Sequence, residues 1–186
     1  MRGEVFRALA IVAMLAAPAR GLPGETPDPD PRRQSGTAAE DAAPTLTARR
    51  TPAPPAIDGR LDDPAWADAP VADGFVQMRP DPGAPASFTT EARVIYDDEA
   101  VYIGMRLRDP DPGDIAAQLG RRDASGIYSD WAHVMIDSYH DRRTAFRFSV
   151  NPRGVQKDVL HYDDYSEDLN WDGVWEAATS VGDDGW

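Results

Sequence analysis

Apolar and polar residues alternate with a period of two through much of the second half of the chain. Residues 92–96 and 101–107 alternate in this way on either side of a short acidic stretch, DDE. Residues 132–136 and 144–150 repeat the arrangement around a polar segment. A period of two places successive side chains on opposite faces of a strand, and polar residues between two such runs favour a turn. The pattern therefore predicts two antiparallel β-hairpins, each with one buried face.

Further alternation after the second hairpin predicts additional strands. The turn sequence NPRG at 151–154 leads into a weaker strand over 155–162, and another stretch alternates over 174–181. The chain then reaches the turn sequence DDGW at 183–186. Because a turn normally leads into a partner strand, we expect that the last strands of the domain are missing.

Helix signals are sparse in this sequence. Two aspartates before Pro64 could cap a single turn that carries Trp66, and residues 115–119 could form another turn before a glycine. Large aromatic side chains dominate sandwich cores, so Trp66 is predicted to be a core residue rather than a ligand platform. The sequence thus predicts an all-β protein, an antiparallel β-sandwich of two sheets with one or two short helical turns.

The N-terminus has the organisation of a secretory signal peptide. Arg2 and Arg7 precede the apolar run 8–17, and small residues lie at its end over 17–19. The apolar run has roughly half the residues that a membrane-spanning helix requires. We therefore predict a signal peptide over 1–19 and an exported protein, located in the periplasm, associated with the outer membrane, or extracellular.

A proline-rich segment follows the predicted signal peptide. Residues 20–55 contain eight prolines among small and charged residues, and they keep no periodic apolar face. Such a composition cannot bury enough apolar surface to offset the conformational entropy of the chain. We predict a disordered linker over 20–55 and a single folded domain over 56–186.

Charge and cysteine content exclude several classes of function. The chain has 19 Lys+Arg against 32 Asp+Glu, a net charge of −13, and Lys157 is its only lysine. Nucleic-acid binding relies on clustered cations, so no nucleic-acid partner is expected. Because there is no cysteine, disulfide frameworks, cysteine-ligated metal sites and thiol nucleophiles are excluded.

The sequence carries no evident catalytic motif. It has no G-x-S-x-G elbow, no H-E-x-x-H pair and no phosphate-binding glycine loop. Glycoside hydrolysis requires only two suitably spaced carboxylates, and an acidic chain always offers such candidates. We expect a domain that is not catalytic by itself, and the weaker alternative is part of a glycoside hydrolase that acts on O-glycosyl bonds.

Five segments together resemble the family 9 carbohydrate-binding modules and their relatives. They are IDGRLDDPAW at 57–66, TEARVIYDD at 90–98, VYIG at 101–104, DWAHVMID at 130–137 and FSVNPRG at 148–154. The resemblance covers residues 56–186 and is closest to the version found at the N-terminus of large bacterial outer-membrane-associated proteins. It implies a β-sandwich of jelly-roll or immunoglobulin-like type, a structural calcium ion, and a C-terminal outer-membrane barrel in a longer parent protein.

The resemblance also implies that the partner is a saccharide or polysaccharide. The best-studied members are appended to xylanases and hold sugar ends between two tryptophans. A pyranose packs its C–H face on an aromatic ring, while its hydroxyls bond to polar side chains. By the family pattern, Tyr128 or Trp131 lies near one clamp position, and His133 and Ser149 stand where the family carries an acidic residue and an arginine. The candidate saccharide-binding residues are Tyr128, Trp131, His133, Arg147, Ser149, Asn151, Trp171 and Trp175.

Several of these candidates have a structural alternative. Trp131 shares a strand face with His133, and it binds or packs according to whether that face is open. Trp171 and Trp175 are four residues apart, which favours packing at a sheet edge. His133 could instead ligate a metal ion, and the acidic residues over 163–172 could hold calcium or form a solvated loop.

The sequence therefore predicts an exported module that binds carbohydrate without changing it covalently, in a xylan- or polysaccharide-degrading context. If the module is attached to an enzyme, that enzyme is expected to be a glycoside hydrolase such as a xylanase. The main alternative is a structural or protein-interaction domain appended to an outer-membrane protein, in which sugar binding has been lost.

Overall fold

The first sheet contains three strands. In the computed structural model, which describes residues 44–163 and 166–186, they are β1 (Arg49–Arg50), β2 (Thr90–Tyr96) and β3 (Val101–Leu107). The strand order is β1-β2-β3. Strand β1 runs parallel to β2, and β2 runs antiparallel to β3.

The second sheet contains four strands in the order β4-β5-β6-β7, and every neighbouring pair is antiparallel. They are β4 (Ala132–Ile136), β5 (Ala145–Val150), β6 (Gln156–Tyr162) and β7 (Ser166–Asp168). The described ranges add one short helix, α1 (Pro64–Ala67), and a 3-10 turn (Pro112–Asp114). The two sheets make a β-sandwich-like body, which confirms the predicted fold class.

Both predicted hairpins are confirmed. Strands β2 and β3 pair over their full length, with Val94 opposite Ile103, and β4 pairs with β5 in the same way. The carboxylate of Asp97 holds the first turn by accepting the backbone N–H groups of Glu99 at 2.8 Å and Ala100 at 2.9 Å. These hydrogen bonds lower the pKa of Asp97 below its ordinary value, because they stabilise the ionised form.

The segment before β2 covers one face of the first sheet with Trp66. Helix α1 begins at Pro64, and the carboxylate of Asp63 accepts the backbone N–H of Ala56 at 3.2 Å instead of capping the helix. Trp66 is 5% exposed and packs with Ile95, which is fully buried. The prediction that Trp66 is a core residue is confirmed.

The strand predicted over 174–181 is wrong. This segment forms no ladder with any described strand, although its alternate side chains are partly buried. Trp175 packs edge-on against Phe148, and the hydroxyl of Thr179 donates to the carbonyl of Pro152 at 3.1 Å. The period of two therefore reflects alternate contact with neighbouring elements rather than strand pairing.

The helical turn predicted over 115–119 is also wrong. The chain there runs extended beside the segment that precedes β4, and Ala117 forms a bridge with Ser129. The carbonyl of Ala116 accepts the N–H of Asp130 at 2.8 Å, and its own N–H donates to the Asp130 carboxylate at 3.1 Å. These long-range bonds satisfy the backbone groups that a local helical turn would have used.

Strands β1 and β7 are too short for a pattern of alternation to reveal them. Strand β1 lies inside the segment 20–55 that composition assigns to the linker. Its pairing with β2 continues through a bond from the N–H of Thr51 to the carbonyl of Tyr96 at 2.9 Å, and Thr51 is buried. The end of the proline-rich segment is thus attached to the first sheet.

The remaining N-terminal predictions fall outside the part of the chain that the structure describes. The signal peptide at 1–19 and the linker up to residue 43 stay predictions. In the ranges 44–163 and 166–186, no helix has the length and apolar character needed to cross a bilayer.

Candidate functional site

The second sheet presents two chemically different faces, because side chains alternate along each strand. We call one of them the histidine face; it carries His133, Met135, Arg147, Ser149, Lys157, Val159, His161 and Glu167, with Trp131 just before β4. We call the other the aromatic face; it carries Val134, Ile136, Phe146, Phe148, Asp158 and Leu160, with Trp171 and Trp175 packed against its phenylalanines. The candidate residues from the sequence are therefore divided between two sides of one sheet.

Trp131, His133 and Lys157 form one group on the histidine face. The Trp131 and His133 ring centroids are 6.3 Å apart, with 14° between the ring planes. The Lys157 Nζ lies 4.5 Å from the Trp131 ring centroid, which is a cation–π contact. His133 Nδ1 lies at hydrogen-bond distance, 2.8 Å, from the Oγ of Ser149, which is 2% exposed. The buried hydroxyl thus fixes the imidazole, while Nε2 makes no hydrogen bond to a described residue.

Arg147, His161 and Glu167 form a second group on the same face. The Glu167 carboxylate lies 3.4 Å from an Arg147 guanidinium nitrogen and 3.6 Å from His161 Nδ1. The Glu167 side chain is 41% exposed, so the ion pair adds little stability. Its effect is to orient the Arg147 guanidinium from β5 towards β7, on the row next to the one that contains His133.

The pKa values of both histidines on this face are lowered from the ordinary value of 6.5. For His133 the main cause is burial of the ring, and the positive charges of Arg147 and Lys157 add to it. His133 as a whole residue is exposed, but its ring lies against Trp131 and Ser149. For His161 burial again dominates, and Glu167 opposes the shift. Both imidazoles are therefore neutral at neutral pH.

We expect stability to fall as the pH drops below about 6.5. A histidine whose pKa is lower in the folded state stabilises the fold fully above its unfolded pKa. That contribution is lost as the pH falls through the folded pKa, because the unfolded state then binds more protons. Thermal midpoints measured from pH 7.5 to pH 5 should decline, and His133→Gln should decline less steeply. Equal slopes for both proteins would show that His133 does not cause the decline. The carboxyl groups whose pKa values are lowered, Asp97 and Asp141, titrate below pH 3.8 and therefore outside this range.

The aromatic face holds Trp171 and Trp175 away from the histidine face. The Trp171 ring centroid lies 4.7 Å from that of Phe146 and 5.8 Å from that of Phe148, and Trp175 lies 5.3 Å from Phe148. The cluster ends at Tyr139, which is 68% exposed and lies 6.0 Å from Phe146. The two tryptophans therefore make packing contacts, and neither faces Trp131 across a shared cleft.

Asn151 and Tyr128 occupy opposite environments. Asn151 is fully buried at the end of β5; its carbonyl oxygen accepts the N–H groups of Arg153 and Val155, and its amide donates to Gln118. These bonds make the predicted turn at 151–154, and they leave the side chain closed to a ligand. Tyr128 lies in the segment before β4 and is 80% exposed. Of the two, only Tyr128 presents surface that a ligand can reach.

A protein-family model described as carbohydrate family 9 binding domain-like matches residues 57–183. The chain belongs to this family. The match includes α1, both hairpins of the two sheets and the whole histidine face, and it confirms the resemblance read from the sequence. No curated protein and no solved structure matches this carbohydrate family 9 binding domain-like chain.

The acidic segment at 163–172 of this family 9-like domain does not fit a calcium site in the residues that the structure describes. Asp163 pairs with Arg143 at 3.1 Å, and Asp172 pairs with Arg122 at 2.7 Å. Asp168 accepts the backbone N–H of its neighbour Asn170. In residues 44–163 and 166–186, no three histidine or acidic side chains converge as metal ligands, and His133 has no such partners. The carboxylates are thus directed at arginines and turns; Asp164 lies outside the described residues.

Lys157 and Glu167 lie on the histidine face of the family 9-like domain, although the sequence did not mark them as candidate saccharide-binding residues. Lys157 lies opposite Ser149 in the β5–β6 register, and Glu167 lies opposite His161. The first could have been found by pairing residues symmetrically about the NPRG turn. The second could not, because β7 is too short to carry a period.

Proposed function

We propose that this domain binds a polysaccharide non-covalently through the histidine face. The observation that carries the proposal is the family match over residues 57–183, which includes all four strands of the second sheet. The match supports carbohydrate as the ligand class. The histidine face is favoured as the site because it combines an aromatic ring with polar groups that can recognise hydroxyls.

The side chains of the histidine face suit a sugar ring that lies on one side of Trp131. A pyranose held between two rings needs a carbon–carbon contact of about 3.5–4.0 Å on each side, so the rings must be about 7–8 Å apart. The Trp131 and His133 ring centroids are 6.3 Å apart, which is too close. The sugar is therefore expected to lie outside this pair of rings. His133 Nε2, the Lys157 ammonium and the Arg147 guanidinium then serve its hydroxyls, and the exposed Tyr128 ring is close along the chain.

A binding role is favoured over hydrolysis by the carboxylates of this face. Retaining or inverting hydrolysis needs two carboxyl groups on either side of the scissile bond. In the described strands the histidine face carries Glu167, which is engaged by Arg147 and His161. Asp137, just after β4, accepts the backbone N–H groups of Asp141 and Arg142. Both carboxylates therefore already have partners within the domain.

The cellular setting that we propose rests on the N-terminal sequence. A signal peptide at 1–19 and a proline-rich tether would export the domain and hold it at a distance from its attachment point. We propose a periplasmic or outer-membrane-associated location, and a role in polysaccharide breakdown in which the domain holds the substrate of a partner glycoside hydrolase.

We expect Trp131→Ala to weaken binding of xylan- or cellulose-derived oligosaccharides about tenfold or more, because the variant removes the aromatic platform. Affinities would be measured by isothermal titration calorimetry on the full chain. Tyr139→Ala is the matched control: it removes an exposed aromatic ring from the opposite face and should bind like the parent. Circular dichroism would check that both variants keep the fold.

Two outcomes would overturn the proposal. If the folded parent protein binds no member of a broad polysaccharide panel, the protein-interaction alternative takes its place. If the protein releases chromophore from aryl xylosides at a rate above background, the domain is a hydrolase rather than a binding module.

A further inference from the structure

A groove at the end of β3 combines the same kinds of side chain that saccharide recognition needs. It has a volume of about 390 Å³ and is lined by Ser87, Phe88, Thr89, Arg108, Asp109, Pro110, Asp183 and Asp184. None of these residues belongs to the histidine face, which lies on the other sheet. We infer that this groove is a second saccharide subsite, which binds a neutral pyranose unit; the inference rests on the proposed function.

The walls of the groove are fixed by backbone pairing rather than by flexible loops. The N–H of Arg108 donates to the carbonyl of Thr89 at 2.9 Å, and the N–H of Asp109 donates to the carbonyl of Asp184 at 3.1 Å. Leu107 exchanges both backbone hydrogen bonds with Trp186, at 2.8 and 2.9 Å. The two segments on either side of the β3 end are thus held in place before any ligand arrives. A site built in this way loses little conformational entropy on binding.

Gly185 allows the second wall to approach β3 closely. Its φ is +131°, and a Cβ at this position would collide with the carbonyl of Leu107. The close approach lets the Asp184 carboxylate form an ion pair with the guanidinium of Arg108. A guanidinium nitrogen of Arg106 lies 3.8 Å from the same carboxylate. Arginine and aspartate in a fixed pair offer donors and an acceptor side by side, which is the arrangement that adjacent sugar hydroxyls require.

Phe88 supplies the apolar element of the groove. Its side chain is 50% exposed although it is a large hydrophobic residue. Hydroxyl groups flank it in sequence at Ser87 and Thr89, and both residues are exposed. A phenyl ring bordered by hydroxyls and carboxylates provides a stacking surface for sugar C–H groups and polar partners for the ring hydroxyls.

The charge of the groove selects among saccharides. Three carboxylates, those of Asp109, Asp183 and Asp184, line it against one guanidinium, that of Arg108. A uronic acid would add a further negative charge and would be repelled. A neutral hexose or pentose unit carries no such cost.

Two subsites on one domain change which ligands bind well. A polysaccharide long enough to reach from the histidine face to the groove would engage both subsites, so its second contact would be intramolecular and would add avidity. A monosaccharide or disaccharide engages one subsite at a time and gains nothing from the other. The groove is therefore expected to increase affinity for polymers, not for short oligomers.

The test compares Phe88→Ala with Tyr162→Ala, a control that removes another half-exposed aromatic residue outside the groove. Binding of the full chain to soluble xylan and β-glucan would be measured by affinity electrophoresis, and binding to xylobiose and cellobiose by calorimetry. We expect Phe88→Ala to weaken polymer binding about tenfold and to leave disaccharide affinity within about twofold. Tyr162→Ala should match the parent with both ligands. A polymer of glucuronate should bind the parent more weakly than xylan does.

The outcomes separate this inference from the proposed function. If Trp131→Ala loses binding and Phe88→Ala matches the parent on polymers, the groove is not a subsite and the proposed function stands. If Phe88→Ala loses polymer binding and Trp131→Ala does not, the groove is the binding site and the histidine face is wrong. If the parent binds no saccharide, both are overturned.

Discussion

Replacing Arg122 with alanine is expected to destabilise the protein by about 1–3 kcal/mol, because the buried Asp158 loses a partner whose own side chain is 36% exposed. The guanidinium donates to the carboxylate of Asp158 at 3.1 and 2.7 Å and to the carbonyl of Gly173 at 2.8 Å. The Asp158 side chain is completely buried in β6. Without Arg122 it would keep a buried negative charge whose charged partner is gone. The measurement is urea denaturation, in which the midpoint should fall at an unchanged slope.

Asp172→Ala is the matched control for this prediction. Asp172 contacts the same guanidinium at 2.7 Å, but its side chain is 77% exposed. An exposed ion pair contributes about 0–1 kcal/mol, so this variant should remain close to the parent. The double variant Arg122→Leu/Asp158→Leu should lose less stability than Arg122→Ala, because no buried charge is left without a partner. Equal losses for Arg122→Ala and Asp172→Ala would show that burial of Asp158 does not control the effect.

Trp66→Ala is expected to cost about 3–5 kcal/mol of unfolding free energy. The indole is 5% exposed and is the largest side chain of the cluster that contains Ile95 and Ala69. Truncation would leave a cavity against the first sheet, next to Gly104, whose missing Cβ makes room for Leu61 and the indole. The same denaturation experiment would measure the loss.

Trp66→Phe is the control that separates cavity formation from loss of a polar contact. The Trp66 Nε1 is buried and has no hydrogen-bond partner in the described residues. Phenylalanine would keep most of the ring volume and remove the unpaired donor, so its cost should be much smaller than that of alanine. If both variants lost the same stability, the indole N–H would have an important partner and packing alone would not explain its role.

The sequence predicts the hairpins well because their information is local. Alternation over residues 92–96 and 101–107 marks β2 and β3, and the carboxylate of Asp97 satisfies the turn between them within three residues. Trp66 is placed in the core for another reason that needs no distant contact, namely that large aromatic side chains dominate sandwich cores. These predictions needed no knowledge of distant contacts.

The errors have a common physical cause, which is that a local pattern does not show which backbone groups bond to distant parts of the chain. Residues 174–181 alternate because Trp175 and Thr179 contact the second sheet, yet the backbone there joins no ladder. The segment 115–119 has a helical composition but bonds across to Asp130 instead. Long-range bonds of this kind are not visible in a local pattern.

The sequence predicts which candidate residues share a strand face, but not which of them make distant contacts. Trp131, His133, Arg147 and Ser149 share one face, because strict alternation along β4 and β5 requires it once the register is set. Asn151 could not be recognised as a buried turn residue without its partner Gln118, which is distant in sequence. Trp171 and Trp175 follow β7 and pack on the opposite face.

The histidine face as a saccharide site is tested most directly by nuclear magnetic resonance of the ¹⁵N-labelled full chain during titration with xylo- and cello-oligosaccharides. We predict that the Trp131 indole N–H, the Lys157 amide and the His133 amide shift together and saturably, while the indole N–H groups of Trp171 and Trp175 stay in place. Shifts confined to the two tryptophans of the aromatic face, with Trp131 unmoved, would contradict the account.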